Sequence, residues 1–321
     1  MTTGRFAPSP TGRMHLGNVF SALLSWLSAK AAGGQWLLRI EDIDPARSRQ
    51  QWADLIMADL EWLGLEWDGT PVYQSQRSEI YEHYYEVLRS QGLTYPCYCT
   101  RADLLATQAP HESDGRVVYP GTCRPKEAMG RMGPTSDTGP IPPNDPRPAA
   151  TRLMVPDCDM TFTDGHYGPQ SVNLARQVGD FVIRRKDGAW AYQLAVVVDD
   201  ALMGVTEVVR GRDLLLSSPQ QMYVAQLLGF SSPSFTHLPL LCNASGQRLS
   251  KRDSSLDMAA LRQRYTPQQL IGLLARAAGL QPDARPQTPQ ALAKGFTWDL
   301  VPRTDIVMTE TLIPAMKAER R

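Results

Sequence analysis

The segment that most constrains the fold lies at the start of the chain, where a short strand, a Pro/Gly turn and a helix follow one another. Apolar side chains recur there at helical spacing, and Gly33-Gly34 ends the run; they are Leu16, Val19, Phe20, Leu23, Leu24 and Leu27. The first turn of a helix has unpaired N–H groups and partial positive charge, so it suits phosphate. His15 can donate to a phosphate oxygen, and Gly17 can let a nucleotide lie close. The competing interpretation is a tight strand-to-helix turn with an incidental histidine.

Strand and helix patterns alternate over residues 1–94. Gln35–Ile40 is typical of a buried strand; apolar positions then predict a helix that ends near Leu63 and another from about Ser78 to Ser90. Such alternation predicts an α/β fold, with a parallel sheet covered by helices on both faces. Ligands of such sheets bind beyond the carboxyl ends of the strands, where the opening segment and Glu41 both fall.

The alternation stops over residues 95–185, which we interpret as an insertion. Cys97-Tyr98-Cys99 and Cys123 offer three thiolates for a structural zinc ion, although three unrelated buried cysteines would give the same pattern. The candidates for a fourth ligand are His111, Asp103 and Tyr119. Residues 121–148 are rich in Pro, Gly, Ser and Asp and lack a hydrophobic period, which predicts a long loop.

Alternation returns in residues 186–254. The run Leu194–Val198, which ends in Asp199-Asp200, predicts a strand, and Val205–Arg210 predicts the next one. Ser217-Ser218 then predicts the cap of a helix that has Pro219 in its first turn. Residues 255–321 carry leucines at helical spacing, so we expect a helical C-terminal segment.

The composition favours a cytoplasmic protein, and its balanced charge does not indicate a strongly charged binding partner. The 33 Lys and Arg balance 33 Asp and Glu, although basic residues outnumber acidic ones from Leu241 onward. No apolar run is as long as a membrane span, and no signal peptide precedes the first strand. Five cysteines are an odd number and do not suggest a disulfide framework, so Cys158 and Cys242 are expected to be small buried residues.

Several residues have the chemistry to bind an acidic amino acid and ATP. Arg5 and Arg210 can each hold a carboxylate with a forked pair of donors, and Glu41 can accept from an ammonium group. Lys251, in a loop with Gly246 and Ser250, can place a positive charge on a triphosphate. Alternatives remain: Lys251 is an ordinary surface lysine, Arg210 pairs with Asp213 or Asp200, or a carboxylate of the run Glu41-Asp42-Ile43-Asp44 orients an arginine instead.

Four motifs together resemble a known family. Residues Arg5–Asn18, with the tetrapeptide His15-Leu16-Gly17-Asn18, resemble the "HIGH" signature of class I aminoacyl-tRNA synthetases in the form of the glutamyl branch. Arg39–Asp44, Val209–Asp213 and Arg248–Arg252 resemble the next three landmarks, the last as a "KMSKS"-type loop. The order is the expected one over about three quarters of the chain, although Leu249 and Arg252 depart from the loop consensus.

The resemblance implies a class I synthetase fold: a Rossmann-type parallel sheet split by a zinc-containing insertion. It implies that His15, Asn18 and Lys251 are catalytic and that His15, Gly17 and Lys251 bind ATP with Mg²⁺. It assigns glutamate to Arg5, Ser9, Glu41, Tyr192 and Arg210, although core packing is an alternative for Tyr192. It also makes Tyr119 the fourth ligand of one structural zinc ion, beside Cys97, Cys99 and Cys123.

The glutamyl branch usually continues into an anticodon-binding domain, for which few residues remain after Lys251. The chain resembles the members that lack it, which place glutamate on queuosine in the anticodon of tRNA(Asp). We therefore expect a monomer that acts on ATP, L-glutamate and that anticodon loop, with no membrane partner. The alternatives are a compact enzyme that charges the tRNA 3′ end, a small-molecule nucleotidyltransferase, and a catalytically silent RNA-binding protein.

Overall fold

A parallel sheet lies at the centre of the protein. The computed structural model describes residues 1–100, 103, 118–125, 148–249 and 256–308. Strands β1 (Thr3–Phe6), β2 (Gln35–Ile40) and β3 (Val72–Tyr73) pair in parallel in this order. The strand predicted at Gln35–Ile40 is confirmed with the same bounds.

Three long helices follow the first three strands in the way that the sequence predicts. They are α1 (Leu16–Ala31), α2 (Gln50–Leu63) and α3 (Ser78–Ser90). The apolar stripe of α1 is buried in the main core, in contact with side chains such as Trp36 and Leu38 of the sheet. Helix α2 ends at Gly64, whose φ of 74° is the left-handed conformation that glycine adopts at low cost.

The described part of the insertion consists of short antiparallel strands. Strands β4 (Thr94–Cys97), β5 (Ala150–Leu153) and β8 (Phe181–Arg184) form one sheet. Strands β6 (Asp159–Asp164) and β7 (Gly168–Asn173) form a hairpin, and a short helix α4 (Leu174–Gln177) follows it. The predicted long loop lies mostly outside the described residues, since only 121–125 and 148 of it are described.

The predicted strand at Leu194–Val198 is wrong, because these residues belong to helix α5 (Tyr192–Leu202). Every residue from Leu194 to Asp200 is buried, so apolar side chains point in all directions around the helix. A continuous apolar run of this length does not distinguish a buried strand from a buried helix. The β-branched valines favoured the strand, and tertiary packing overrides that preference.

Strands β9 (Glu207–Gly211) and β10 (Ser234–Leu238) form a second parallel pair. The backbone N–H of Thr206 donates to the carbonyl of Thr3 at 2.9 Å, which places β9 beside β1. The strand predicted at Val205–Arg210 is thereby confirmed with a small shift. Parallel strands with intervening helices give the α/β class that the sequence predicts.

Helix α6 (Ser217–Leu227) exists as predicted, but its start differs from the prediction. Ser217 and Ser218 lie inside the helix, and neither they nor Leu216 caps it with a side-chain hydrogen bond. The Ser218 hydroxyl instead faces Arg210, whose Nη2 lies 2.8 Å away. The Ser218 hydroxyl oxygen, which the sequence assigned to a helix cap, therefore accepts a hydrogen bond from the buried Arg210 instead.

The described C-terminal residues are helical, with one addition. Helices α7 (Met258–Arg264), α8 (Pro267–Ala277) and α9 (Pro289–Ala293) pack on the main core, and Thr266 begins α8 with a capping box. Two short strands, β11 (Leu241–Cys242) and β12 (Ile306–Val307), pair in parallel and were not predicted. In the described ranges, no helix has the length and apolar character to span a membrane.

Candidate active site

A cleft of about 470 Å³ opens at the carboxyl ends of β1 and β9 and at the start of α1. The structure brings together there all the described residues that the sequence assigned to glutamate, ATP or catalysis. They are Arg5, Ser9, His15, Gly17, Asn18, Glu41, Tyr192 and Arg210. Lys251 lies outside the described residues, but Arg248 and Leu249 just before it line the cleft.

His15 caps helix α1 with its own ring. Its Nδ1 accepts from the Gly17 backbone N–H at 3.1 Å, and the Asn18 side chain accepts from the His15 N–H at 3.1 Å. Because Nδ1 is the acceptor, the proton of the neutral ring lies on Nε2, which can donate to a ligand. A Cβ at position 17 would lie 3.0–3.1 Å from ring atoms of His15. A side chain at position 17 would therefore crowd the His15 ring, which would have to shift slightly.

One end of the cleft holds arginines that are paired with carboxylates. Arg5 lies 3.4 Å from Asp200, which also accepts from Nη1 of the buried Arg39 at 2.6 Å. Nη2 of Arg39 in turn donates to Glu41 at 3.2 Å. Burial raises the pKa of Glu41 above its usual value, although Arg39 and Arg5 both oppose this rise. Glu41 lines the cleft, as does Asp213.

The neighbouring acidic residues are engaged outside the cleft. Asp42 accepts from the backbone N–H and hydroxyl of Ser75 at 2.8 and 2.6 Å. Asp44 pairs with Arg47 at 3.1 Å and Arg185 at 3.0 Å. Asp44 therefore does orient arginines, as one alternative expected, and Glu41 has the position that suits an ammonium group.

Arg210 is a buried cation with neutral partners. Its donors reach Gln221 and Ser218 at 2.8 Å, and the Tyr192 hydroxyl, the Leu214 carbonyl and His237 Nε2 at 3.3 Å. Within the described ranges no carboxylate lies within 4.0 Å of it, so pairing with Asp213 or Asp200 is not observed. Burial lowers the pKa of Arg210. A guanidinium in this setting has the charge and geometry to bind an incoming carboxylate.

The strand-turn that leads to Lys251 is well ordered by hydrogen bonds. The Leu249 N–H donates to the Leu241 carbonyl at 2.9 Å, and Leu249 is buried. The Asn243 side chain accepts from the backbone N–H groups of Ser245 and Gln247, which closes the turn. The described chain therefore reaches the cleft at Leu249, two residues before Lys251.

The three predicted cysteine ligands lie together in the insertion. The sulfur atoms of Cys97, Cys99 and Cys123 are all within 4.8 Å of one another. The Tyr119 hydroxyl lies 3.5 Å from the Cys97 sulfur and accepts from the Cys123 N–H at 2.7 Å. The cluster offers three sulfurs and one phenol oxygen at distances that a tetrahedral metal ion can bridge.

The surroundings of the cluster favour an ionised sulfur at Cys97 alone, because burial raises the pKa of the Cys99 thiol and the hydrogen bond with Cys97 raises that of the Cys123 thiol. Hydrogen bonds, first from Cys123 and then from Tyr119, act with the Arg152 charge against burial and lower the pKa of Cys97 to about 4. Of the other candidates, His111 lies outside the described residues and the Asp103 carboxylate accepts from Thr100. The expectation of buried single cysteines is confirmed for Cys242 and wrong for Cys158, which is exposed.

Comparison with known proteins agrees with this geometry. Residues 1–290 match the family model described as "tRNA synthetases class I (E and Q), catalytic domain". A Nitratidesulfovibrio vulgaris protein named Glutamyl-Q tRNA(Asp) synthetase is 44% identical over 335 residues, which cover 99% of this chain and 98% of that protein. A protein of the same name from Neisseria meningitidis serogroup C is 48% identical over 253 residues, with 78% and 81% covered. The chain belongs to the glutamyl-Q tRNA(Asp) synthetase family of class I.

A solved structure of a glutamate tRNA ligase has the same fold as this chain. The crystal structure of a glutamate tRNA ligase from Elizabethkingia meningosepticum, in complex with its amino acid, aligns with a TM-score of 0.77 at 28% identity. The alignment covers 97% of this chain and 68% of that one. The glutamyl-Q family member therefore has the class I synthetase fold that the opening motif predicts.

Sequence analysis missed three charged residues that shape these sites in this class I synthetase. Arg39 lies within a quoted motif without an assigned role, and Asp200 follows a run that was assigned to a strand. Arg152 stacks over the Tyr119 ring at 3.6 Å and donates to the Cys97 sulfur at 3.2 Å. The only local signal was a charged residue within a buried apolar pattern, since their partners are distant in sequence.

Proposed function

We propose that this chain activates glutamate with ATP and transfers it to queuosine in the anticodon of tRNA(Asp). The relatives that carry the name glutamyl-Q tRNA(Asp) synthetase support the reaction and its tRNA. The observation that carries the proposal is the buried Arg210 guanidinium, which faces the cleft with neutral partners only among the described residues.

Selection of glutamate follows from the charged side chains that line the cleft. The amino acid brings two carboxylates and one ammonium group. Arg210 and Arg5 match the carboxylates, and Glu41 matches the ammonium group. Tyr192 holds Arg210 through its hydroxyl, and Ser9 lines the same cleft. A neutral or basic side chain would leave the buried Arg210 charge without a carboxylate partner, which penalises its binding.

Activation requires stabilisation of negative charge on the triphosphate when the glutamate carboxylate attacks the α-phosphorus. His15 Nε2 supplies a donor from one side, at the positive end of the α1 dipole; the Gly17 N–H holds the imidazole, and the Asn18 side chain holds the His15 backbone. Lys251 supplies an ammonium group from the loop that follows Leu249. Mg²⁺ accompanies ATP, on its phosphate oxygens.

Zinc is the metal that fits the insertion best, since three soft thiolates lie in a compact group beside one phenol oxygen. The ligands we propose are Cys97, Cys99, Tyr119 and Cys123. When bound, the ion supplies structural cross-linking of β4 to the segment around Tyr119, and no step of the reaction needs it. Arg152 stabilises the negative charge of the ligands.

Transfer to the nucleoside depends mainly on orientation, because a ring hydroxyl is a weak nucleophile. We propose that the anticodon loop enters the cleft, where splayed bases can be bound. A monomer suffices for this, since one chain contributes every residue that we assign.

The test is to charge total tRNA with labelled glutamate, cut it at the anticodon and locate the label. We expect the label in the anticodon fragment, and glutamate-dependent ATP–pyrophosphate exchange without any tRNA. Label at the 3′ end would favour the second candidate, a compact glutamyl-tRNA synthetase, which the likeness to the glutamate tRNA ligase structure supports. A complete absence of glutamate-dependent exchange would contradict both.

A further inference from the structure

A buried carboxylate–imidazole pair lies behind the Arg210 guanidinium. Asp164 ends strand β6 of the insertion hairpin, and His237 lies in β10; neither side chain has exposed surface. His237 Nδ1 lies 2.6 Å from Asp164 Oδ2, and His237 Nε2 lies 3.3 Å from Arg210 Nε. A carboxylate, an imidazole and the guanidinium therefore follow one another in a hydrogen-bonded series.

The partners fix the tautomer of this histidine. A guanidinium N–H can only donate, so His237 Nε2 must be the acceptor and the ring proton must lie on Nδ1, facing Asp164. The Ser218 hydroxyl, 3.3 Å from Nε2, can donate to the same nitrogen while it accepts from Arg210. Every donor and acceptor in the group is then matched.

Asp164 has the environment that this arrangement needs. Its carboxylate also accepts from the backbone N–H groups of His166 at 2.9 Å and Tyr167 at 2.8 Å. Burial opposes ionisation, but the hydrogen bonds from His237 and from these N–H groups outweigh it and hold the pKa of Asp164 below its usual value. An ionised carboxylate at this point keeps the Nδ1 proton on its own side of the ring.

We propose that Asp164 and His237 form a positioning pair that holds the Arg210 guanidinium in the orientation that receives the side-chain carboxylate of glutamate. This inference rests on the proposed function and deepens it. It links the β6–β7 hairpin of the insertion to the amino-acid pocket through Asp164, 73 residues before His237. Neither residue touches the reacting atoms, so their effect is on substrate binding.

The pair works only with a neutral imidazole, because a second N–H would face the Arg210 donor. The charged groups around the ring are Asp164 of β6, Arg210 of β9 and Asp213, which follows β9. Burial lowers the pKa of His237, and the Arg210 charge acts in the same direction against the two carboxylates. His237 therefore takes up a second proton only at a pH below its ordinary titration range, and that proton would weaken the binding of glutamate.

Asp164→Asn tests the proposal with almost no change in volume. The asparagine amide can donate to Nδ1, which moves the ring proton to Nε2 and turns the acceptor of Arg210 into a donor. We expect the KM for glutamate in ATP–pyrophosphate exchange to rise about tenfold to a hundredfold, with kcat and the KM for ATP little changed. His237→Gln, which retains an acceptor near the Nε2 position, should recover part of the loss relative to His237→Phe.

His166→Gln is the matched control, since this buried histidine neighbours Asp164 but its ring faces the Pro302 carbonyl at 3.1 Å. Its KM for glutamate should equal that of the unmodified chain. Nitrogen-15 spectra give a readout independent of activity: they should show the Nδ1–H tautomer for His237 and the Nε2–H tautomer in Asp164→Asn. An Nε2–H tautomer in the unmodified chain, or an unchanged glutamate KM in folded Asp164→Asn, overturns the inference. If the unmodified chain shows no glutamate-dependent ATP–pyrophosphate exchange, the proposed function is overturned instead.

Discussion

Two buried arginines, Arg39 beside the cleft and Arg210 in its lining, have different electrostatic settings. Arg39 is completely buried and reaches the carboxylates of Glu41, Asp199 and Asp200, with Asp200 at 2.6 Å. Arg210 is almost as buried, and its described hydrogen-bond partners are all neutral. A cation whose charge is already neutralised holds the fold, whereas one that lacks an anion is ready to bind it. The difference fits our proposal that Arg39 supports the fold and that Arg210, which lines the cleft, binds the substrate.

The same carboxylates hold the rest of the network together. Asp199 accepts from Arg77 at 2.6 Å and from Gln74 and Tyr81 at 2.8 Å, and therefore ties α3 to α5. The pKa of Tyr81 is raised by burial and by the Asp199 charge, so the phenol stays a donor. The network around Arg39 is thus rigid because each charge in it has several partners.

Replacement of Arg39 should have the largest effect on stability. Arg39→Met leaves Asp199 and Asp200 buried with fewer cations, so we expect the free energy of unfolding to fall by about 3–5 kcal/mol. Arg210→Met leaves only neutral acceptors at the edge of an open cleft and should cost about 1 kcal/mol. Urea denaturation of both variants measures the contrast, and equal losses would show that the two arginines do not differ in role.

The pH dependence of stability gives a second test of the comparison through Glu41, with a smaller expected effect. The pKa of Glu41 is raised in the folded state, so the free energy of unfolding falls as the pH rises through the folded-state pKa. Below the unfolded pKa of about 4.5, the carboxyl is protonated in both states and has no such effect. We expect Glu41→Gln to unfold at higher urea than the unmodified chain at pH 7 and at equal urea near pH 4. The same variant should lose glutamate activation. A variant that is less stable at pH 7 would mean that Glu41 supports the fold.

The sequence predicts most of what depends on local pattern. Helix α1 and strand β2 follow from periodicity, and the cluster of Cys97, Cys99 and Cys123 follows from residue type and spacing. Of the eight described cleft residues, Arg5, Glu41 and Arg210 follow from residue type near strand ends, where parallel sheets bind ligands, and His15 and Gly17 from the helix start. Ser9, Asn18 and Tyr192 were assigned only by the family resemblance.

What the sequence did not predict depends on contacts between distant segments. The run Leu194–Val198 forms a helix because it is surrounded by core on all sides, which a single sequence does not reveal. Asp164 and His237 are 73 residues apart, and Arg152 reaches Cys97 across 55 residues. Ser218 was assigned to a cap because its true partner, Arg210, is defined only by packing of α6 on β9.

The most direct test of the central claim is the binding of glutamate and glutamine, measured by isothermal titration calorimetry on the unmodified chain and on Arg210→Met. If the guanidinium selects the side-chain carboxylate, the unmodified chain should bind glutamate at least tenfold more tightly than glutamine, since a charged hydrogen-bonded pair contributes about 1.5–3 kcal/mol. Arg210→Met should lose this preference while it remains folded. A preference of the same size in both proteins would contradict the account.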